Sequence, residues 1–360
     1  MGKETAEVVV VGGGIRGVAI AYGLARAGVN VVLLEKRFIA SAASGLNMGY
    51  VNVSAKGPEH YTILSKLSAD IYPELNEELG GGFEYEKNGA LDVAETDADF
   101  DYLSQTVDER NRVPGIGMKM LDPKETRSLE PAITPDIRGA RWCPIDGVVH
   151  PLKLVRALLK AAVQKGAVVH CGEEVRDIHV RSGRIESVVT TNREISTHVV
   201  VNTAGIHASE IARMVKVNLP VFPERGQIII TEPLPRILNR AVGPFKQYED
   251  GQVLIGASNE DVGENTAVTP EILSKLARDA IRILPVLERA QVIRCTAGLR
   301  PMTPDRHPVY QKVPEVSDFY IAVGHSGFTL APVTAKIFTD LIMHGETNVQ
   351  LDTYRHERFA

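Results

Sequence analysis

Gly12, Gly14 and Gly17 stand at GxGxxG spacing, and Glu35 closes the next apolar run. These residue types at these distances suit one task, holding the pyrophosphate and ribose of a dinucleotide. Gly12 permits a tight turn, Gly14 lets a pyrophosphate approach the backbone, and Gly17 lets a helix lie close against a strand. Glu35, with Lys36 beside it, can accept both ribose hydroxyls of an adenosine and would repel a 2′-phosphate. The spacing alone does not distinguish FAD from NAD.

The elements that must position these residues are legible around them. Val8 to Val11 form a β-branched apolar run, the pattern of a strand buried on both faces. From Ile15 onward, Val18, Ala21, Leu24 and Ala25 recur at helical spacing, and Gly28 ends that helix. Val29 to Leu34 predict a second buried strand. Together they make a βαβ unit whose helix N-terminus offers free N–H groups and a positive dipole end to phosphates.

A chain of 360 residues with net charge −5 predicts two domains and argues against a nucleic-acid partner held by bulk electrostatics. The start MGKETAEV enters the first strand without a signal peptide, and no apolar run reaches the roughly 20 residues of a membrane helix. Cys143, Cys171 and Cys295 lie far apart with no CxxC, so no metal site is expected, and all three read as buried small hydrophobes. A reducing cytoplasm is the expected location.

After Glu35 the small residues of ASAASGLNMG allow a backbone to lie against a flat ring. Helices are predicted over 58–80, 96–112, 122–130, 152–165 and from Ala208. In the first of these, Tyr61, Leu64, Leu67, Ile71 and Leu75 share a face. Asn88-Gly89 and Glu249-Asp250-Gly251 read as hairpin turns. Val175–Val180 and Ile185–Thr190 read as strands around Ser182-Gly183. Thr269 is the expected N-cap of a helix to about Ile283. The stretches NTAGIHAS, around Thr203, Ala204 and Gly205, and GHSGFTLAP each run from a strand through small residues into a helix.

In this order, VVVVGGGIRG through Glu35, ASAASGLNMG, DGVVHP, VVVNTAGIHAS, ERGQIIITEP, AGLRPMTPDRHPV and GHSGFTLAP resemble the flavoenzymes of the D-amino-acid oxidase, glycine oxidase and sarcosine oxidase group over nearly the whole length. The chain is also similar to the β subunits of amine and opine dehydrogenase complexes and to a hydrogen-cyanide-forming glycine dehydrogenase subunit. The resemblance implies an α/β fold with a Rossmann-like FAD-binding domain of the glutathione-reductase type and a second α+β domain on an antiparallel sheet. The implied FAD-binding segments are 1–57, 148–216 and 292–360; the implied substrate-binding segments are 58–147 and 217–291.

It further implies that the flavin touches Ile15, Ala42, Ser44, Gly45, Asn47, Met48, Gly49, Val175, Thr203, Ala204, Gly205, Gly324, Ser326, Gly327, Phe328 and Thr329. Arg300 of AGLRP is implied to hold the substrate carboxylate, close to the flavin, and no fixed carboxylate partner for it is evident. Monomeric sarcosine oxidases attach the flavin through a cysteine whose position falls on Gly298, so FAD is expected to be non-covalent. Tyr248 has the strand parity to face the flavin but a different register from the family's tyrosine, and a hairpin-surface position is preferred for it. His325 lines the flavin or the acceptor path, or caps the helix, which is expected to begin near Leu330. No acid–base residue stands out.

The implied reaction is hydride transfer from the Cα–H of an amino acid or N-substituted amino acid to flavin N5, giving an imine that water hydrolyses. No second GxGxxG exists for NADPH, so oxygen, a quinone, a dye or a partner subunit takes the electrons, with a peripheral membrane position if it is a quinone. Two alternatives stand beside this: the flavin subunit of a heteromeric dehydrogenase, and a non-catalytic dinucleotide-binding protein. Homo- and hetero-oligomers are both open.

Overall fold

In the computed structural model, which describes residues 4–359, Val8–Val11 lies inside a six-stranded sheet. Val199–Asn202 and Val31–Glu35 flank it, both parallel to it. Phe319–Val323 and Val168–Cys171 extend the parallel set, and Val309–Lys312 adds an antiparallel edge. The valine run is explained by its two partners. Val8 and Val10 pack with the helices Ile15–Arg26, Pro151–Gln164 and Gly327–His344. Val9 and Val11 pack against a smaller sheet holding Ile178, Ile185, Val188 and Ile195. A strand buried on both faces has no polar side to alternate with.

Helices Ile15–Arg26 and Gly327–His344 press together at Gly23, where a Cβ would lie 2.5 Å from Thr339 Oγ1. That contact joins the first helix of the chain to the last long one.

The larger sheet has eight strands, ordered Val292–Met302, Phe222–Pro233, Gln252–Ile255, Phe245–Gln247, Ala241–Val242, Ala90–Ala94, Gly139–Cys143 and Lys119–Leu121. Alternation divides its faces. Ile229, Val253 and Ile255 pack on the Pro270–Ile283 helix. Ile228 and Leu254 point the other way, into a small cluster with Met48 and Tyr248, edged by Tyr50, Ile230 and Ala257. Met48 and Tyr50 come from the segment that follows the βαβ unit, so this cluster is where the two sheets' substructures meet.

Several expectations change. The strand Val292–Met302 pairs with Phe222–Pro233 along its length, so it belongs to the larger sheet and not to the nucleotide-binding segments. Asn88-Gly89 is not a hairpin turn: Ala90–Ala94 pairs with Gly139–Cys143, while Glu86 bridges to Val148. Leu67 is 42% exposed, because Ser65, Ser68 and Ala69 take the buried face of Glu59–Glu78 instead. Thr269 is the N-cap residue of its helix, but its hydroxyl makes no capping hydrogen bond and instead accepts from Gln227 Nε2 at 3.0 Å. Only Cys143 is buried; Cys171 is exposed and Cys295 intermediate.

Candidate active site

The loops that leave the C-terminal ends of the four central parallel strands converge. They are 12–14, 36–50, 203–205 and 324–327, and such a crevice is where open α/β sheets bind ligands. Gly12 has φ +110°, and a Cβ there would sit 2.6 Å from the Thr203 carbonyl oxygen. At Gly17 a Cβ would lie 1.9 Å from the Gly12 oxygen, so helix and turn touch backbone to backbone. Thr203 Oγ1 donates toward the carbonyls of Val11 (2.8 Å) and Gly12 (3.0 Å), fixing the turn from the neighbouring strand.

The helix Ile15–Arg26 begins at Gly14 with no side-chain cap and no acid in its first turn. Ser44 Oγ accepts from Ile15 N at 3.0 Å and ties the small-residue segment to that end. With Ser44 on the first amide, the remaining N–H groups of this helix N-terminus behind close-packed glycines are a seat for a pyrophosphate. Glu35 Oε2 accepts from Gly13 N and Oε1 from Arg37 N, both at 2.8 Å. A carboxylate has about four acceptor sites, so lone pairs remain for ribose hydroxyls. The residues present therefore fit an FAD: Gly12, Gly14, Gly17 and the Ile15 end for pyrophosphate, and Glu35 for adenosine. Lys36 and Ala42 are exposed at the rim, whereas Val175 is buried in the core beside Val32 and Leu34.

Arg16, absent from the sequence reading, links this end to the second glycine-rich turn. Its Nη1 donates to Gly324 O (2.6 Å), Nη2 to His325 O (2.5 Å) and Nε to Tyr310 Oη (3.2 Å). Gly327 packs on Ile15, where a Cβ would meet Ile15 Cγ2 at 2.8 Å. Ser326 occupies the left-handed region at φ 63° as N-cap, so the helix starts at Gly327, not near Leu330, and Phe328 and Thr329 lie in its first turn. Thr329 Oγ1 donates to Tyr50 O (3.0 Å) and accepts from Asn52 N (3.2 Å). Asn47 Oδ1 accepts from Gly49 N at 2.7 Å, and Gly49 lies against Val149, whose oxygen a Cβ would approach to 2.1 Å. Gly45 is pinned against Ala40 in the same way, at 2.4 Å. Gly205 opens the turn after Val199–Asn202 at φ +60° with no atom near its Cβ position.

Arg300 lies within electrostatic reach of His325. Burial first, and then the charges of Lys56, Arg300, Arg16 and Arg306, hold the His325 imidazole well below the usual histidine range, hence neutral. Burial brings Lys56 down to about 8, against the pull of Asp146. Burial also lowers Arg300, opposed by Glu224. Glu224 is the fixed partner that the sequence did not reveal. Its Oε1 lies 3.3 Å from Arg300 Nη1, which also donates to Ser258 O at 2.9 Å.

Tyr248 is not on a hairpin surface. It is 8% exposed and stacks on His150 with ring centroids 4.3 Å apart. Burial, with Glu84 nearby, pushes its phenol up, so it stays a neutral donor. Lys246, two residues earlier on the same strand face, was missed. Period-two alternation from Tyr248 was the signal that could have found it.

A two-sheet α/β protein with this cradle at the C-terminal ends of its parallel strands defines a dinucleotide-binding class. The chain belongs to the FAD dependent oxidoreductase family, whose model matches residues 7–341. It is 30% identical to the hydrogen cyanide synthase subunit HcnC of Pseudomonas aeruginosa, over 96% of this chain and 94% of that one. Its fold matches L-proline dehydrogenase from P. horikoshii with a TM-score of 0.93 at 28% identity, covering 99% of this chain and 98% of that one. Glycine oxidase from Geobacillus kaustophilus matches with a TM-score of 0.93 at 26% identity, covering 98% and 99%.

Proposed function

We propose that this FAD-dependent enzyme oxidises the C–N bond of an amino acid or N-substituted amino acid, giving an imine that hydrolyses to a keto acid or aldehyde. The observation that carries the reading is Arg300. It is a largely buried guanidinium on the larger sheet, close enough for its charge to act on the neutral His325 of the second glycine-rich turn. The relatives named for proline, glycine and cyanide-forming chemistry support the same class. When bound, FAD supplies the two-electron acceptor.

The chain's own residues bind and orient. Arg300 takes the substrate carboxylate in a planar two-point contact and so fixes the position of Cα. His325, held uncharged by burial and by the cations around it, stays a neutral hydrogen-bonding group of the second glycine-rich turn. Met48, Ile228, Leu254 and the Tyr248 ring form an apolar wall that excludes water. The test is an anaerobic screen of amino acids, N-alkyl glycines and opines against the holoenzyme. Loss of flavin absorbance with at least one of them is expected; bleaching by none would overturn the reading.

A second reading has the chain as the flavin subunit of a larger dehydrogenase. It is favoured by the relative named as a subunit and by the sheet's edge strand, where Val292 and Ile293 are 53% and 56% exposed. Reoxidation by dye but not by oxygen would point to it. The cytoplasm is the location we propose, because three unpaired cysteines suit a reducing compartment.

A further inference from the structure

The Arg300 guanidinium is held by one nitrogen. Its Nη1 donates to Ser258 O at 2.9 Å, with longer contacts of 3.3 Å to Arg225 O and Glu224 Oε1. Its Nε and Nη2 hydrogen-bond to nothing among the described residues. The group lies against Gly226, where a Cβ would come within 2.4 Å of Nη2 and 2.7 Å of Nη1. The edge formed by Nε and Nη2 is therefore the one left for a two-point contact with a carboxylate, and the bonds at Nη1 set where that edge faces.

The shortest of those bonds comes from outside the two paired strands. Ser258 belongs to segment 256–269, which joins Gln252–Ile255 to Pro270–Ile283 with no regular structure beyond a single bridge at Glu260. Residues 261–268 are exposed. Such a segment holds a carbonyl in place only where other groups tie it down. Glu260 does so. It exchanges backbone hydrogen bonds with Arg225, at 2.9 and 3.0 Å. Its Oε2 accepts from Arg225 Nη2 at 2.6 Å, and its Oε1 from Gln227 Nε2 at 3.0 Å and from Ser258 Oγ at 2.5 Å. Ser258 Oγ accepts in turn from Gln227 N at 2.9 Å. Arg225 and Gln227 are buried on Phe222–Pro233, the strand that carries Glu224 and Gly226. The bond from Arg225 brings the Glu260 carboxyl down to about 2, so the clamp stays charged, and that charge acts on Arg300 as well.

We infer that Glu260 is a positioning residue: by clamping Ser258 to Phe222–Pro233 it aims the Nε–Nη2 edge of Arg300 at the substrate carboxylate. The inference rests on the reading of Arg300 as the carboxylate holder and names what orients it. Without the Glu260 side chain the backbone bridge to Arg225 remains, so the segment stays attached. Ser258 then loses the acceptor of its hydroxyl, Arg225 becomes an unpaired buried cation, and Nη1 loses its fixed acceptor.

The experiment titrates oxidised holoenzyme with propionate, a carboxylate without an amine, and follows the flavin spectrum. It compares the wild type with Glu260→Ala, Glu260→Gln, Ser258→Ala, Arg300→Ala and the double variant Glu260→Ala/Arg300→Ala, with Tm and FAD content reporting folding. Glu260→Ala and Arg300→Ala should each weaken propionate about tenfold, and the double variant should bind no more weakly than Arg300→Ala alone, because residues acting through one another are not additive. Glu260→Gln keeps an acceptor for Ser258 and should recover part of the loss. If Glu260→Ala does not fold, Glu260→Gln and Ser258→Ala run the same cycle with Arg300→Ala. A residue that only held the fold would show no such coupling. Wild-type affinity in the folded Glu260 variants, or a Glu260 effect undiminished without Arg300, overturns the inference and leaves the Arg300 reading intact. Propionate affinity unaltered by Arg300→Ala overturns both. If the coupling holds but no amino compound bleaches the flavin, the C–N reading fails and the positioning role stands.

Discussion

Glu224 serves two arginines: its Oε1 is 3.3 Å from Arg300 Nη1, and both its oxygens accept from Arg306 Nη2, at 3.0 and 2.9 Å. One negative charge thus steadies two positive ones. Arg306 is 57% exposed and is relieved by water, whereas Arg300 is 20% exposed and retains its demand for an anion. Arg300→Ala should lower kcat/KM by about 2–5 kcal/mol in free-energy terms, with FAD binding intact. Arg300→Lys should recover only part, since an ammonium cannot make the planar contact. Native kcat/KM in the alanine variant would place the substrate carboxylate elsewhere.

Glu35 now holds Gly13 N and Arg37 N together, so it shapes the turn as well as facing the ribose. Glu35→Ala removes charge-assisted hydrogen bonds of about 1.5–3 kcal/mol, and FAD affinity should fall at least several-fold. Titration of apoprotein with FAD measures this; an unchanged Kd would refute the ribose assignment.

Flavin should come free of the polypeptide on acid precipitation. Gly298, the position matching the attachment cysteine of monomeric sarcosine oxidases, is packed on Leu46, with a Cβ position 2.9 Å from Leu46 Cβ. Flavin absorbance in the supernatant is the expected result; yellow colour left on the pellet would show a covalent bond.

How stability depends on pH follows from Lys246. Burial lowers its ammonium from 10.5 to about 7. Between those values the unfolded chain holds a proton that the folded protein has released, so this group's contribution rises with pH. Its penalty is full below pH 7 and relieved toward 10.5. In carboxylate-free buffer, Lys246→Met should therefore raise Tm more at about pH 6 than at about pH 9. An equal change at both values would mean that the lysine is already neutral or already compensated.

The cradle was legible in the sequence because its chemistry is backbone chemistry. Where chain must touch chain, as at Gly12 and Gly17, no other residue type fits, and the requirement is written locally. The two flanking strands and the helix were readable for a related reason, since burial on both faces leaves an unbroken apolar run. Glu224 was not readable as the partner of Arg300, because only the register between Phe222–Pro233 and Val292–Met302 sets them side by side. Tyr248 and Lys246 show the same limit. Strand parity says that they share a face, but only the docking of Met48 and Tyr50 makes that face interior. Thr269 was readable as the N-cap, but not that its hydroxyl would accept from Gln227, on a distant strand, instead of from its own helix.

Val8–Val11 leaves the ribosome early, but its neighbour Val199–Asn202 is made only after more than half of the 360 residues, and Phe319–Val323 and Gly327–His344 come close to the end. Throughout synthesis the first helix therefore carries an uncovered apolar side at Gly23, and the cradle lacks its Thr203 and Gly324 walls. A nascent chain of this design exposes apolar surface that its last elements cover, and such surface is prone to aggregate. The cradle is complete only once the Gly324 turn and the helix Gly327–His344, near the end of the chain, have been made.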